Sequence, residues 1–362
     1  MAKKNKKKNK VKQTKVITMP KSQELLKQLE DKRGSKVISY IVSTRRGSSY
    51  QIADDAVRVI YNHILSLKAG EDKLEKIDLF IHSFGGAGTV PWKLVNLIRE
   101  HTKHFEVLVP YKAYSAATLI SIGADKIVMH PMAELGPIDP KVGNEFNPIT
   151  PQGQSIGINV EDVVSYVSFV KELVGINHED ELIQALNTLT EKVHPLALGN
   201  VQRFYAQSRM MARKLLSLHM NTDQKHIIDE ITETLTSKLF FHGHPINRLE
   251  AKELKLKVEF PELEIEKIMW ELFTTYESEL EMDTTFDPLY ELTTSNHTEK
   301  TVTLKGACVE SLGKKDIFEQ KFKIMHPPVP QNAPVEMQVQ SQVNAISIPL
   351  SENWESIKLQ TD

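Results

Sequence analysis

The chain has 362 residues, 40% of them hydrophobic and 25% charged, with a formal net charge of −2. This composition excludes a disordered or fibrous chain and is long enough for one large core plus an extension. The single Cys308 excludes an intrachain disulfide and a multi-cysteine zinc centre, and no apolar run approaches the roughly 20 residues that span a bilayer. A soluble, cytoplasmic protein without a secretory leader is therefore expected.

The charge is unevenly placed. Residues 1–21 hold nine lysines and no acid, so the rest of the chain carries 36 basic against 47 acidic residues, a balance of −11. Such a block reads as a disordered, solvated tail, with contact to an anionic surface as the sharper alternative. No aromatic residue interrupts the lysines, which argues against base stacking.

After the tail, Ser22–Asp31 has the spacing of a short amphipathic helix, Lys36–Ser43 reads as a strand and Tyr50–Leu67 as a helix closed by Ala69-Gly70. Three short apolar runs follow, Ile77–Ile81, Phe105–Val109 and Lys126–Met129, with the β-branched content of buried strands. Helical spacing over Thr89–Arg99 and Ser115–Gly123 separates them, so parallel strands with crossover helices are expected.

Residues 141–158 are rich in Gly, Pro, Asn and Gln and read as a loop. Helices are expected over Val163–Val174, with acids in the first turn, over Glu179–Leu189, Ala197–His219 and Lys225–Leu239, then over Asn247–Leu254 and Glu262–Leu280. From residue 284 the pattern alternates. Lys300–Glu310, Ile317–Met325 and Val335–Ile348 read as strands of a small antiparallel region. Three units result: a Lys-rich tail over 1–21, an α/β domain over 22–283 and a β-rich appendage over 284–362.

Chemistry concentrates at two strand-to-helix turns. One carries Phe84-Gly85-Gly86-Ala87-Gly88, the other Tyr114-Ser115-Ala116-Ala117. Open α/β sheets build sites at this end of their strands. A glycine-rich turn aims backbone N–H groups outward, and a Ser at a helix start sits where the dipole favours developing negative charge. A nucleophile and oxyanion donors are thus both available, although a Ser before a helix is commonly just a cap.

The order IDLFIHSFGGAG, then AYSAATLISIGADKIVM, then ELGPIDP resembles the ClpP/crotonase-fold serine peptidases. Within these it is most similar to the signal-peptide-peptidase-A-like group and to the serine dehydrogenase proteinases. His242–Val258 is similar to a further segment of that group, and the resemblance runs over residues 36–265. It implies a ClpP/crotonase-like spiral of parallel strands with crossover helices. It also implies Ser115 as nucleophile, Gly85 and Gly86 as the oxyanion-hole loop and Ala116 as the second backbone donor. Peptides or unfolded chains become the expected substrates and a homo-oligomer the expected assembly.

The general base stays open. Where the ClpP branch keeps a His, this chain has Asp139; His130, 15 residues past Ser115, is out of register. The signal-peptide-peptidase-A group uses a Lys some 50 residues beyond its Ser, which points to Lys171, with Lys141 as second candidate. A Lys acts as base only where desolvation or nearby cations lower its proton affinity, and Phe169, Val170 and Val174 offer an apolar wall.

No metal or organic cofactor is expected. His242-x-His244 lacks a third ligand at metal spacing, and the glycine loop lacks the acidic residue of a dinucleotide fingerprint. Arg203, Arg209, Arg213 and Lys214 read as the outer side of a packed helix. Two other readings stand beside the peptidase: an acyl-CoA-processing crotonase relative using Glu134 or Asp139, and a catalytically silent oligomeric scaffold.

Overall fold

The computed structural model describes residues 19–138, 141–142, 145–150, 156–238, 243–295, 298–329, 334–357 and 359. The chain opens with helix α1 (Lys21–Arg33), strand β1 (Lys36–Val42), α2 (Asp55–Lys68), β2 (Leu74–His82), α3 (Val90–His101) and β3 (Thr102–Val109). A two-residue strand, β4 (Lys112–Ala113), leads into α4 (Ala116–Ile122), β5 (Lys126–Met129) and β6 (Glu134–Leu135). The segment expected as a loop holds the short pair β7 (Lys141–Val142) and β8 (Ile158–Asn159).

Helix α5 (Val160–Ser168) continues as a π-helical turn over Phe169–Leu173, and α6 (Glu179–Thr190), α7 (Pro195–Leu216) and α8 (Lys225–Glu233) follow. Then come β9 (Ile246–Asn247), α9 (Arg248–Glu253), β10 (Val258–Glu259), α10 (Leu263–Glu279) and α11 (Pro288–Ser295). The chain closes with β11 (Glu299–Ser311), β12 (Lys314–Met325), α12 (Val335–Gln342) and β13 (Ile346–Ile357).

One eight-stranded sheet organises the molecule, in the order β10-β5-β3-β2-β1-β11-β12-β13. Its first five strands run parallel, as α-helical crossovers require. The last three are antiparallel, and β11 joins them to β1, with Tyr40 opposite Val309. The C-terminal strands therefore extend the parallel sheet. The strand expected over 335–348 is instead α12 followed by β13, because Pro334 precedes a run of Glu, Met and Gln that favours helix.

Both faces of the parallel strands are buried, which is why their sequences read as unbroken apolar runs. Along β1, Ile38, Tyr40 and Val42 point into the larger core beneath α2, α3, α4, α7 and α8. Val37 and Ile41 point into a second core closed by Leu25, Leu26 and Leu29 of α1 and by Met269, Leu272 and Phe273 of α10. At the strands' starting ends Arg33, itself buried, pairs with Asp78, Glu106 and Glu259 from β2, β3 and β10.

Helix α2 is tied to the C-terminal strands by a buried His63. Its Nε2 lies 2.9 Å from Asp316 and its Nδ1 lies 2.7 Å from the Ser311 hydroxyl. Burial, then the nearby Lys314, lower its pKa to about 4 against the opposing pull of Asp316. A neutral ring fits the geometry, with Nε2–H donating to Asp316 and Nδ1 accepting from Ser311.

Because the folded pKa lies below the ordinary 6.5, the unfolded chain binds the extra proton between about pH 6.5 and 4. The contribution is complete above pH 6.5 and is lost as pH falls toward 4, by about 1.4 kcal/mol per pH unit. Urea unfolding of His63→Gln is expected to show a correspondingly flatter fall in stability between pH 6 and pH 5 than the parent chain. Equal slopes would remove His63 as the source.

Candidate active site

The two glycine-bearing and serine-bearing turns meet at the C-terminal end of β2. Ser83 N–H donates to Lys112 O (3.0 Å) and Tyr114 N–H donates to Ser83 O (3.0 Å), so the chain after β2 runs beside β4. Gly85 and Gly86 then turn with φ of 112° and 152°, a region that L side chains rarely adopt. A Cβ on Gly85 would stand 2.7 Å from Ser115 Cβ, and one on Gly86 would stand 2.2 Å from Ile52 O. The glycines are there because two neighbouring pieces of chain pass too close for any side chain.

Ser115 itself has φ 53° and ψ −110°, one of four described non-glycine residues with positive φ. Its side chain makes no capping bond to α4, so the simple reading of Ser115 as an N-cap does not describe it. Its carbonyl accepts from Leu119 N–H at 3.0 Å, which starts the helix immediately behind it. A strained Ser between a strand and a helix presents its hydroxyl above the sheet, the geometry of a nucleophile elbow.

Two backbone donors flank that position. Ala116 is the first residue of α4, so its N–H has no acceptor within the helix. Gly86 lies between Gly85, whose carbonyl accepts from Ile52 N–H, and Ala87, whose N–H donates to Ile52 O, both at 2.8 Å. Among the described residues no acceptor takes the Gly86 N–H.

Ser115, Gly86 and Ala116 line a cavity of about 370 Å³ together with Gln51, Phe84 and Thr89. Its far wall comes from α7, which presents Phe204, Gln207, Ser208 and Met211, while Leu119 and Ile138 add an apolar side. These lining residues were not legible as site residues. Phe204 and Met211 showed only the seven-residue spacing of a packed helix face.

Tyr114 holds the two turns in register. Its ring stacks on Phe84 with centroids 5.8 Å apart and fills the space a Cβ on Gly136 would need. The hydroxyl donates to Glu134, and burial with this partner moves its pKa above the ordinary tyrosine range. Lys112 Nζ lies 3.9 Å from the same carboxylate and 4.8 Å from the Tyr111 ring centroid. The Thr118 hydroxyl, between the carbonyls of Ala113 and Gly136, accepts from Gly136 N–H and ties α4 to the segment after β6.

Lys171 occupies a different place. It is exposed on the π-helical turn after α5 and lines a separate apolar groove with Tyr166, Val170, Leu182 and Leu186. It is absent from the described lining of the Ser115 cavity, which contains neither Lys nor His. Lys141 is in β7, Asp139 and His242 lie outside the described residues, and His244 bonds Glu250 at 2.8 Å. His130 stacks on Trp270 (5.2 Å), on the α10 side of the sheet.

A Ser–His–Asp set exists elsewhere, in Ser311, His63 and Asp316, but all three are buried and none lines the Ser115 cavity. Of the basic residues on α7, Arg213 pairs with Asp229 and Lys214 lies over the Trp92 ring, while Val201, Met211 and Leu215 are buried. Among the described residues no group of three or more His, Cys, Asp or Glu is arranged to hold a metal ion, and no helix is long and apolar enough to cross a membrane.

Two relatives from Methanocaldococcus jannaschii are both uncharacterized proteins. One is 28% identical over 237 residues, covering 65% of this chain and 72% of the relative. The other is 37% identical over 67 residues, 18% of this chain and 23% of the relative. Residues 8–151, the stretch with both turns, match the family of ClpP-like SDH-type serine proteinases. The family that the motifs resemble and the family that the chain matches are thus the same, the ClpP-like SDH-type serine proteinases.

Proposed function

We propose that this chain hydrolyses peptide bonds with Ser115 as nucleophile. The observation that carries the reading is the strained Ser115, φ 53°, packed against the positive-φ glycine loop at the head of a 370 Å³ cavity. The Ser115 hydroxyl attacks the carbonyl carbon as the base takes its proton, and the N–H groups of Gly86 and Ala116 bind the developing oxyanion; Gly85 shapes the turn, its own N–H donating to the Ser83 hydroxyl at 3.0 Å. Collapse of the tetrahedral adduct breaks the C–N bond, the amine leaving with the proton taken from Ser115, and water then hydrolyses the acyl-enzyme to regenerate the hydroxyl. Peptides or unfolded chains are the substrates this reading assigns, on the family resemblance. Assembly as a homo-oligomer and contact of the Lys-rich segment with anionic surfaces belong to the same reading, the first resting on the family resemblance and the second on charge.

Lys171 is the base this reading assigns. Helix α5 packs on α7, whose other residues wall the Ser115 cavity, and Lys171 follows α5 directly in the chain. Lys171→Ala is expected to slow fluorophosphonate labelling of Ser115 by at least about 100-fold. Labelling at the parental rate would sink the Ser115–Lys171 dyad while leaving Ser115 as nucleophile.

The crotonase-like alternative needs a free carboxylate at the oxyanion hole. Glu134 is already engaged by the Tyr114 hydroxyl and faces Lys112, which favours the peptidase. Covalent capture of Ser115 with hydrolysis of a fluorogenic peptide panel supports the proposal. Thioester binding without capture would favour the alternative, and inactivity in both assays the scaffold.

A further inference from the structure

Beside the Ser115 cavity lies a second cavity of about 470 Å³, formed where α2 meets the C-terminal strands, and Gln51 lines both. Four rings line this second space, those of Tyr40, Tyr50, Phe318 and Trp354. Tyr50 meets Phe318 edge-on with centroids 6.3 Å apart, and Phe318 meets Trp354 at 5.6 Å. Two carboxylates join them, Asp55 at the start of α2 and Glu352 on β13.

The rings and acids are fixed in place by the chain's own bonds. Trp354 Nε1–H donates to Asp55 Oδ2 at 2.7 Å, and Gln320 donates to Glu352 at 3.3 Å. Each carboxylate keeps further acceptor capacity. Among the described residues that line the cavity there is neither Lys nor Arg to pair with them. Aromatic faces beside carboxylates that no cation neutralises are the surroundings a cationic side chain prefers, since ring quadrupole and negative charge attract it together.

We propose that this cavity is a substrate subsite that takes a Lys or Arg side chain of the bound peptide. The proposal rests on the peptidase reading and adds to it the class of residue selected a short distance from the scissile bond. It also gives the C-terminal strands a role: β12 and β13 supply Phe318, Glu352 and Trp354, so substrate selection depends on the antiparallel half of the sheet.

Two fluorescein-labelled peptides, identical except for Lys or norleucine at one position, test this by anisotropy against Ser115→Ala protein, which removes turnover from the measurement. With the position scanned along the peptide, one register is expected to favour Lys by about fivefold to tenfold. The preference should shrink toward unity in Glu352→Gln and in Trp354→Leu, each checked for parental thermal stability. It should also weaken with added salt.

Equal binding of the two peptides in every register, or a preference unchanged in both variants, overturns the subsite. A Lys preference that depends on Glu352 and Trp354 in a chain that cleaves no peptide would keep the binding site and refute the peptidase reading, so the two failures are distinguishable.

Discussion

Ser115→Ala is expected to lower peptide hydrolysis by at least about 1000-fold and to abolish covalent capture by a fluorophosphonate, because the proposed acyl-enzyme forms on this hydroxyl. The substitution removes one oxygen from a residue whose backbone strain comes from its surroundings, so the fold should be retained. Residual activity at the parental level, with thermal stability unchanged, would refute Ser115 as nucleophile and leave the strained turn unexplained. Ser311 offers a built-in control. It sits 2.7 Å from His63 and 0% exposed, so Ser311→Ala should leave labelling intact.

Gly86→Ala is expected to cost about 100- to 1000-fold in hydrolysis, the scale of losing one oxyanion donor. Its new methyl group would stand 2.2 Å from Ile52 O and 2.5 Å from Ile52 N, and φ of 152° is itself unfavourable for Ala. The loop must therefore shift and carry the Gly86 N–H away from its aim. The expected signature is a fall in kcat exceeding any change in KM, with Ser115 labelling slowed but still present. Gly88→Ala is the comparison: nothing lies within 4 Å of its added Cβ, so it should be far milder. Equal losses for both positions would mean that the loop responds to any side chain and that Gly86 has no special role.

Much of the α/β body was legible residue by residue. Strands expected at Ile77–Ile81 and Phe105–Val109 lie inside β2 and β3, and Lys126–Met129 is β5. Their apolar runs have no polar alternation, since helices cover both faces of a parallel sheet. Helices α3, α7 and α10 were visible by period, because each buries one stripe. Beyond residue 284 local pattern failed twice, at 288–295, where α11 stands in a stretch read as part of a β-rich appendage, and at 335–348. Alternating Val, Met and Val matched a strand, yet Glu336, Met337 and Gln340 also suit a helix, and nothing local separates the two.

The chain's own letters determined the nucleophile candidate and its glycine loop, because strain and close approach leave a chemical mark: only glycine tolerates φ of 112° with Ser115 Cβ 2.7 Å from where a side chain would begin. Tertiary structure alone decided which residues share the cavity. Gln51, Phe204 and Met211 come from segments far apart in sequence, and their meeting follows from how α7 packs on α3 and α4. The same holds for Lys171, which the spacing nominated and the fold sets in a neighbouring groove, and for the C-terminal strands, which join the sheet edge at β1. Local propensity sets which elements form; which faces meet depends on burying apolar area over long range, and no short stretch of sequence contains that sum.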